Sequence, residues 1–465
     1  MDLKELLFDS GSEVGEGSEE ALLKALEMGY GVNAENYTGA RALQGEDCET
    51  TLVNVMREEA GDFKLMNTIK KTPVKSTVHQ YNERTDVGDE DLGFVAEGGI
   101  APDNNQEILR KAKEMKYIQK RGVVTEQAIQ AETFEPAFET EKIATTLSVL
   151  RTAEKYSFHG DSKVVPKQFD GLLALIKNTP VAKRNVKDLE GKTIQTYGEG
   201  IFTEMAEMIA DRGGKANKVF YPLILGNDIQ ELARDRLRLT TEDEKLSTVI
   251  KQYPTLHGSL LIADEAGPDL MFKAKNVIKP TASGEKIPNK PSAVNLVASS
   301  NGKSKFHIAD AGTYTYMVHS VNEYGISEGT DATPIAVANG DAVTISITPA
   351  ATNPGTGFII SRSLKGGNTV MEMIRIGIDT QQAETEFVDL NEDLPGTAEM
   401  LFLTEKKLQV VTEFLQFLPL RLYRKEDPLR LVTPFIMALW GAPSIKAPHW
   451  CGVVKNIGYR GGLYA

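Results

Sequence analysis

His159, Asp161 and Ser162 place three residue types of a hydrolytic triad within four positions. In that chemistry a histidine draws the proton from a serine hydroxyl while a carboxylate orients the ring. Side chains so close in sequence cannot fold back into that line, so His159-Gly160-Asp161-Ser162 reads as a turn. Asp86, Asp89 and Asp91 look like part of a calcium loop but lack the glycine at its sixth position. The chain has no glycine-rich phosphate loop followed by Lys-Ser/Thr and no zinc-like Cys/His spacing. No catalytic residue, metal ligand or cofactor site is therefore expected. What remains is charge. Lys64, Lys70, Lys71, Lys75, Arg84, Arg110, Lys111, Lys113, Lys116, Lys120 and Arg121 flank a loop carrying Asp86, Asp89, Glu90, Asp91 and Glu97. Cations so grouped can pair with an acidic surface.

The elements holding these groups can be read from periodicity. Pro73–Glu83 alternates Val74, Ser76, Val78 and Gln80 with Lys75, Thr77 and His79, and Ile108–Val124 alternates again. Two such runs around a polar, glycine-containing middle predict a long β-hairpin with little apolar surface of its own. Ile143, Leu147, Leu150 and Ala153 line one face of a helix, and Gly160 is expected to end it in the left-handed cap conformation. A second helix starts near Phe169-Asp170-Gly171-Leu172. Further on, Ile201, Met205, Met208 and Ile209 form an amphipathic helix stopped by Gly213-Gly214, Val219–Leu225 forms a strand, and Asn227 or Asp228 caps the next helix.

Composition changes near Lys286, where Ile287-Pro288-Asn289-Lys290-Pro291 forms a linker. Strands are then expected at 294–298, 312–322, 342–348, 357–363, 369–376 and 385–389, the spacing of a β-sandwich. Beyond Leu394-Pro395-Gly396-Thr397 come runs at 408–417, 429–440 and 450–454, too apolar to face water on both sides. Trp440 and Trp450 are expected to anchor strands there. The sandwich is therefore inserted into the preceding α/β unit, as a loop with adjacent ends allows.

At 465 residues the chain calls for two or three packed units, and 41% hydrophobic with 25% charged residues is a folded composition. No apolar run is long enough for a membrane helix. The start MDLKELLFDSGSE carries no charged-then-apolar leader, so no secretory signal is expected. The first sixty residues hold roughly ten more carboxylates than bases, the pattern of an arm ordered by a partner. A net charge of −13 argues against a general nucleic-acid binder. Cys48 and Cys451 are expected as free thiols.

Phe158-His159-Gly160-Asp161, Phe169-Asp170-Gly171-Leu172, Leu394-Pro395-Gly396-Thr397-Ala398 and the closing Leu439-Trp440-Gly441-Ala442 with Lys446-Ala447-Pro448, in this order of parts, resemble the major capsid proteins of large contractile-tailed bacteriophages. Tyr314–Ser327 resembles strands of fibronectin type III and bacterial immunoglobulin-like domains, without the Cys…Trp…Cys hallmark of antibody domains. The resemblance implies an α+β chain with the Hong Kong 97 phage capsid fold. Its parts would be an N-terminal arm (1–60), an extended loop (61–130), peripheral and axial domains (131–286), an immunoglobulin-like insertion (287–397) and return strands (398–465). It implies a shell of hexamers and pentamers around double-stranded DNA, held without sequence-specific contacts or a membrane. It further implies a portal, scaffold or decoration protein as partner, assembly in the host cytoplasm and residence in the virion. Lys70, Lys71, Lys75, Arg110, Lys111, Lys113 and Lys116 would make contacts between subunits, and Gly160, Asp161, Asp170 and Gly171 would form a structural turn. A tail sheath subunit and a bacterial surface adhesion protein are the competing readings.

Overall fold

The computed structural model describes residues 63–86, 94–100, 103, 107–131, 136–180, 184–232, 253–254, 260–267, 275–281, 284–379, 381–404, 411–425, 429–460 and 462. The expected N-terminal arm, Asp89, Glu90, Asp91 and Cys48 lie outside them.

A four-stranded sheet orders Lys70–Pro73, Thr412–Arg424, Val432–Ile445 and Lys116–Thr125. The first pair is parallel and the others antiparallel. Strands 412–424 and 432–445, which overlap the apolar runs read at 408–417 and 429–440, pair as an antiparallel hairpin. The alternation read as one arm from Ile108 to Val124 divides at Met115, which is 1% exposed and packs with Phe169, Leu415 and Ala442. Residues 116–125 then pair along their length with 432–441 and belong to the body. What stands free is shorter: a two-stranded antiparallel ribbon of Val78–Asp86 with Glu107–Glu114.

Against the four-stranded sheet lies the 23-residue helix Ala137–His159. Its Val149 and Ala153 meet Val124, Phe435, Met437 and Leu439. The buried face runs through Thr145, Val149, Ala153, Ser157 and Phe158, so it shares only Ala153 with the apolar line read from the sequence. Glu154 is buried as well. Its two oxygens accept from the backbone N–H groups of Leu65 (2.6 Å) and Met66 (2.9 Å), fixing the short helix Lys64–Thr68 to the long one.

The second sheet has six strands, in the order 185–188, 452–457, 398–404, 216–222, 260–267, 253–254. Helix Gly200–Asp211 buries Ile201, Phe202, Met205 and Ile209 in the core it shares with Met400, Phe402 and Val454. Gly213 (φ +80°) ends it: Gly214 N donates to Ile209 O and Gly213 N to Ala210 O, both at 2.9 Å, a Schellman closure. The following strand is 216–222, and the next helix begins at Gly226, so Asn227 and Asp228 lie inside its first turn and do not cap it. Trp450 sits in the single turn Pro448–Trp450, not in a strand, and donates from Nε1 to Arg212 O (2.8 Å). Trp440 does lie in a strand, stacked on Phe417 and edge-on to Tyr117.

Residues 293–389 form two sheets around one core. One sheet holds three strands, ordered 385–389, 341–348, 293–300; the other holds 312–321, 326–329, 333–337, 357–363 and 370–377. Tyr316, Val318, Phe358 and Ile360 of the larger sheet face Val343, Ile345 and Ile347 of the smaller. All six strands read from the sequence are present; 326–329 and 333–337 were not foreseen. Inside this core Arg362 pairs with Asp389 (2.6 Å) and lies over the rings of Phe306 and Tyr314. The segments leading in and out run side by side, with Lys275 N donating to Thr397 O (2.9 Å).

Candidate functional site

Gly160, Asp161, Asp170 and Gly171 come together in one closed turn. Gly160 N donates to Tyr156 O and Gly171 N to Gly160 O, both at 2.8 Å. Asp161 Oδ1 accepts from Lys163 N and Asp170 Oδ1 from Ser162 N, both at 2.9 Å. The expected left-handed cap is not what glycine supplies, because Gly160 does not adopt a positive φ. Proximity is the reason: a Cβ on Gly171 would sit 2.6 Å from Phe158 O, and one on Gly160 would strike Phe169 O and Tyr156 O. The turn lets two backbone segments touch where a methyl group has no room.

That turn seats the sandwich. Val164 and Val165 pack with Ile278, Val321, Ile326 and Ile359. Lys167 pairs with Glu323 (2.6 Å). Gly357 and Gly377 have no space for a Cβ because Val164 and Lys163 lie against them. Beside this contact is a knot of charges from both parts: Lys177 with Glu399 (2.7 Å), Arg375 with Glu372 (2.6 Å) and Lys455 with Asp393 (3.5 Å). Burial disfavours the Glu399 carboxylate, but the Lys177 ammonium and Lys275 outweigh it and pull the group down to about 2. Glu372 and Asp393 are likewise held low against burial, by Arg375 and by Lys275 with Lys455 respectively. Burial of His159 drives its imidazole down to about 4, with Glu399 opposing. The three triad residue types thus serve the turn and this junction.

The basic residues divide into two groups. Lys70, Lys71, Lys75 and Arg110 are exposed, Arg110 Nε donating to Asn82 Oδ1 (3.4 Å). Lys111, Lys113 and Lys116 each meet an acid of their own chain: Glu83, Asp170 (3.5 Å) and Glu114 (2.7 Å). The Lys113–Asp170 pair ties the base of the ribbon to the turn. Burial lowers the Lys113 ammonium, partly countered by Asp170. Burial also opposes the Asp170 carboxylate, but bonds from Ser162 and the charge of Lys113 hold it below its usual range. Sequence reading passed over Phe94, Val95 and Ile100, which stand exposed between the ribbon strands, Phe94 and Ile100 almost fully. Their signal was available: apolar residues inside an otherwise polar loop. Among the described residues no group of three or more His, Cys, Asp or Glu side chains could hold a metal ion. None of the described helices is long and apolar enough to cross a membrane.

No family model matches the chain. Over 491 aligned positions it is 25% identical to the major capsid protein of Staphylococcus phage S25-3, covering 99% of both chains. The same identity and coverage relate it to the major capsid protein of Staphylococcus phage K. Among solved structures, the capsid of a native GTA particle aligns with 90% of this chain and 96% of its own at 10% identity, TM-score 0.43. A chain of Microbacterium phage Oxtober96 aligns with 90% of this chain and 97% of its own at 9% identity, TM-score 0.45.

Proposed function

We infer that this chain, similar to phage major capsid proteins along 99% of its length, is the shell subunit of a tailed-phage head, with the Hong Kong 97 phage capsid fold. The observation that carries the reading is the end-to-end similarity, which takes in ribbon, both body sheets and sandwich together. The role is structural: copies associate as hexamers and pentamers around double-stranded DNA, in the host cytoplasm, and remain in the virion. A portal, scaffold or decoration protein completes the particle.

The physical chemistry of the ribbon fits that role. A two-stranded ribbon alone is marginal in water, and this one exposes Val78, Ile108 and Leu109 along its strands as well as Phe94 and Ile100 beyond them. Laid over a neighbouring copy, it gains the partner it lacks. Lys70, Lys71, Lys75 and Arg110 then meet acidic surface of that copy, consistent with a net charge of −13. Many such contacts repeated around closed rings add to a large total although each is weak. The same negative balance keeps the shell from gripping packed DNA.

Negative-stain microscopy of the expressed protein tests the reading. Closed isometric shells are expected; tubes would indicate a sheath subunit, and dispersed monomers would remove the shell role. The charge-reversal variant Lys70→Glu/Lys71→Glu/Lys75→Glu/Arg110→Glu is expected to lower shell yield severalfold while the subunit keeps its circular dichroism. Reversal at Lys111, Lys113 and Lys116 tests the contacts less cleanly, because it also sets like charges against Glu83, Asp170 and Glu114 within the subunit.

A further inference from the structure

The two sheets of residues 293–389 have different surroundings. Phe358 and Ile360 point into the shared core, so Ile359 between them faces the body, where it meets Val164 and Val165. The smaller sheet, ordered 385–389, 341–348, 293–300, therefore lies on the far side of that core from the body. Its strand 293–300 pairs on one side only. Asn301 N donates to Gly340 O (2.9 Å) in the same register, so by alternation the odd-numbered residues of the strand bond to 341–348. Val294, Leu296, Ala298 and Ser300 turn their N–H and C=O groups the other way, and no backbone bond among the described residues reaches them there.

Free edges of this kind invite pairing, and folded chains blunt them with charge or proline. Edge strands elsewhere in the described residues follow that rule, with Lys120 in 116–125, Arg375 in 370–377, Glu386 in 385–389 and Pro334 in 333–337. The sequence of 293–300 is Ala-Val-Asn-Leu-Val-Ala-Ser-Ser, with neither device. Among the described strands it is the only edge so written. Val297, at its middle, is 58% exposed beside Thr344 of the next strand.

We propose that strand 293–300 pairs antiparallel with the same strand of a second copy, joining two three-stranded sheets into one. A two-fold axis through Val297 sets Val294 against Ser300 and Leu296 against Ala298, so all four outward-turned residues exchange bonds. The two exposed Val297 side chains then lie opposite each other on the outer face. Such a contact is isologous, the form that closed assemblies use most. Charge selects a second copy as the occupant. With a net charge of −13, two copies repel over much of their surface, and an edge free of charge is where they meet at least cost. The contact rests on the geometry and composition of the strand, and it stands apart from the shell reading.

The test uses the purified full chain as unassembled subunits in a Cys48→Ser background, Cys451 being buried. Across the two-fold the two positions 297 come within about 4.5 Å between Cα atoms, inside disulfide range. The two positions 299 stay about 14 Å apart. Val297 and Ser299 are both exposed, so replacing either leaves the core intact. Oxidation of Val297→Cys is expected to give at least tenfold more disulfide-linked dimer than Ser299→Cys at the same concentration. No dimer from Val297→Cys, or equal yields from the two variants, overturns the proposal. Hydrogen exchange separates pairing from chance collision. In the oxidised Val297→Cys dimer the amides of Val294, Leu296, Ala298 and Ser300 are expected to exchange at least tenfold more slowly than after reduction, and unchanged rates overturn the proposal as well. Neither readout requires shells, so failure here leaves the shell reading standing, and an absence of shells leaves this contact standing.

Discussion

Replacing Glu399 by glutamine removes the most buried acid among the ion pairs at the junction between the body and the sandwich. Its partner is Lys177, 2.7 Å away. In the folded chain burial works against the carboxylate and Lys177 works for it, and the outcome is a fall from the ordinary 4.5 to about 2. That difference corresponds to about 3 kcal/mol of stability at neutral pH, at ~1.4 kcal/mol per unit. A second route gives a similar size. Removing one member of a buried pair costs roughly 3–5 kcal/mol because the other charge is left without compensation. The side chain of Lys177 is still 35% exposed, so water recovers part of its charge and the lower end applies. Glu399→Gln should therefore destabilise unassembled subunits by about 3 kcal/mol at pH 7 in urea unfolding. The pH dependence carries the stricter test. The folded-state pKa lies below the unfolded one, so the contribution is complete above pH 4.5 and is lost as pH falls towards about 2. The gap between wild type and variant should close across that window. A gap below about 1 kcal/mol at pH 7, or one that stays constant as pH falls through the window, would refute the assignment of charge at this junction.

Two further outcomes follow from the same region. His159 is held down from 6.5 to about 4, so the unfolded chain takes up a proton before the folded one does, and wild-type stability should fall as pH drops from 6.5 towards 4; His159→Gln should flatten that limb of a melting-temperature-against-pH curve, and an unchanged slope would show that another group sets it. Gly171→Ala should cost about 1–3 kcal/mol by overpacking, because the added carbon meets backbone at 2.6 Å, whereas Gly302→Ala, with nothing within 4 Å and no positive φ, should be near neutral; equal denaturation midpoints for the two variants would remove the close-approach argument.

The sandwich strands were legible because alternation with a period of two, between turn residues, is written locally. Strands 357–363 and 385–389 begin and end where the sequence places them. The helix ending at His159 and the restart at Leu172 were equally plain. The role of Gly160 was not. The sequence shows a glycine at a helix end, for which a left-handed cap is the local explanation, but the demand on it comes from Phe169 O, nine residues on and brought back by the fold. Met115 is a similar case. Alternation passes through it unbroken, and only burial against Phe169, Leu415 and Ala442 divides one apparent arm into a free ribbon strand and a body strand.

The amino-acid sequence by itself determined the long helix and its stop near His159, six of the strands between 293 and 389, and a gathering of cations between Lys64 and Arg121. These follow from periodicity, turn chemistry and charge, which act over a few residues. Tertiary structure alone decided which face of the long helix meets the sheet: Val149 and Ala153 pack on it, while Ile143, Leu147 and Leu150 join none of the cores of the described residues. It also decided which lysines find acids of their own chain, as Lys113 does with Asp170, 57 positions away. Amphipathic spacing tells a helix which residues can share a face. Only the packing of distant strands tells it which face has a partner.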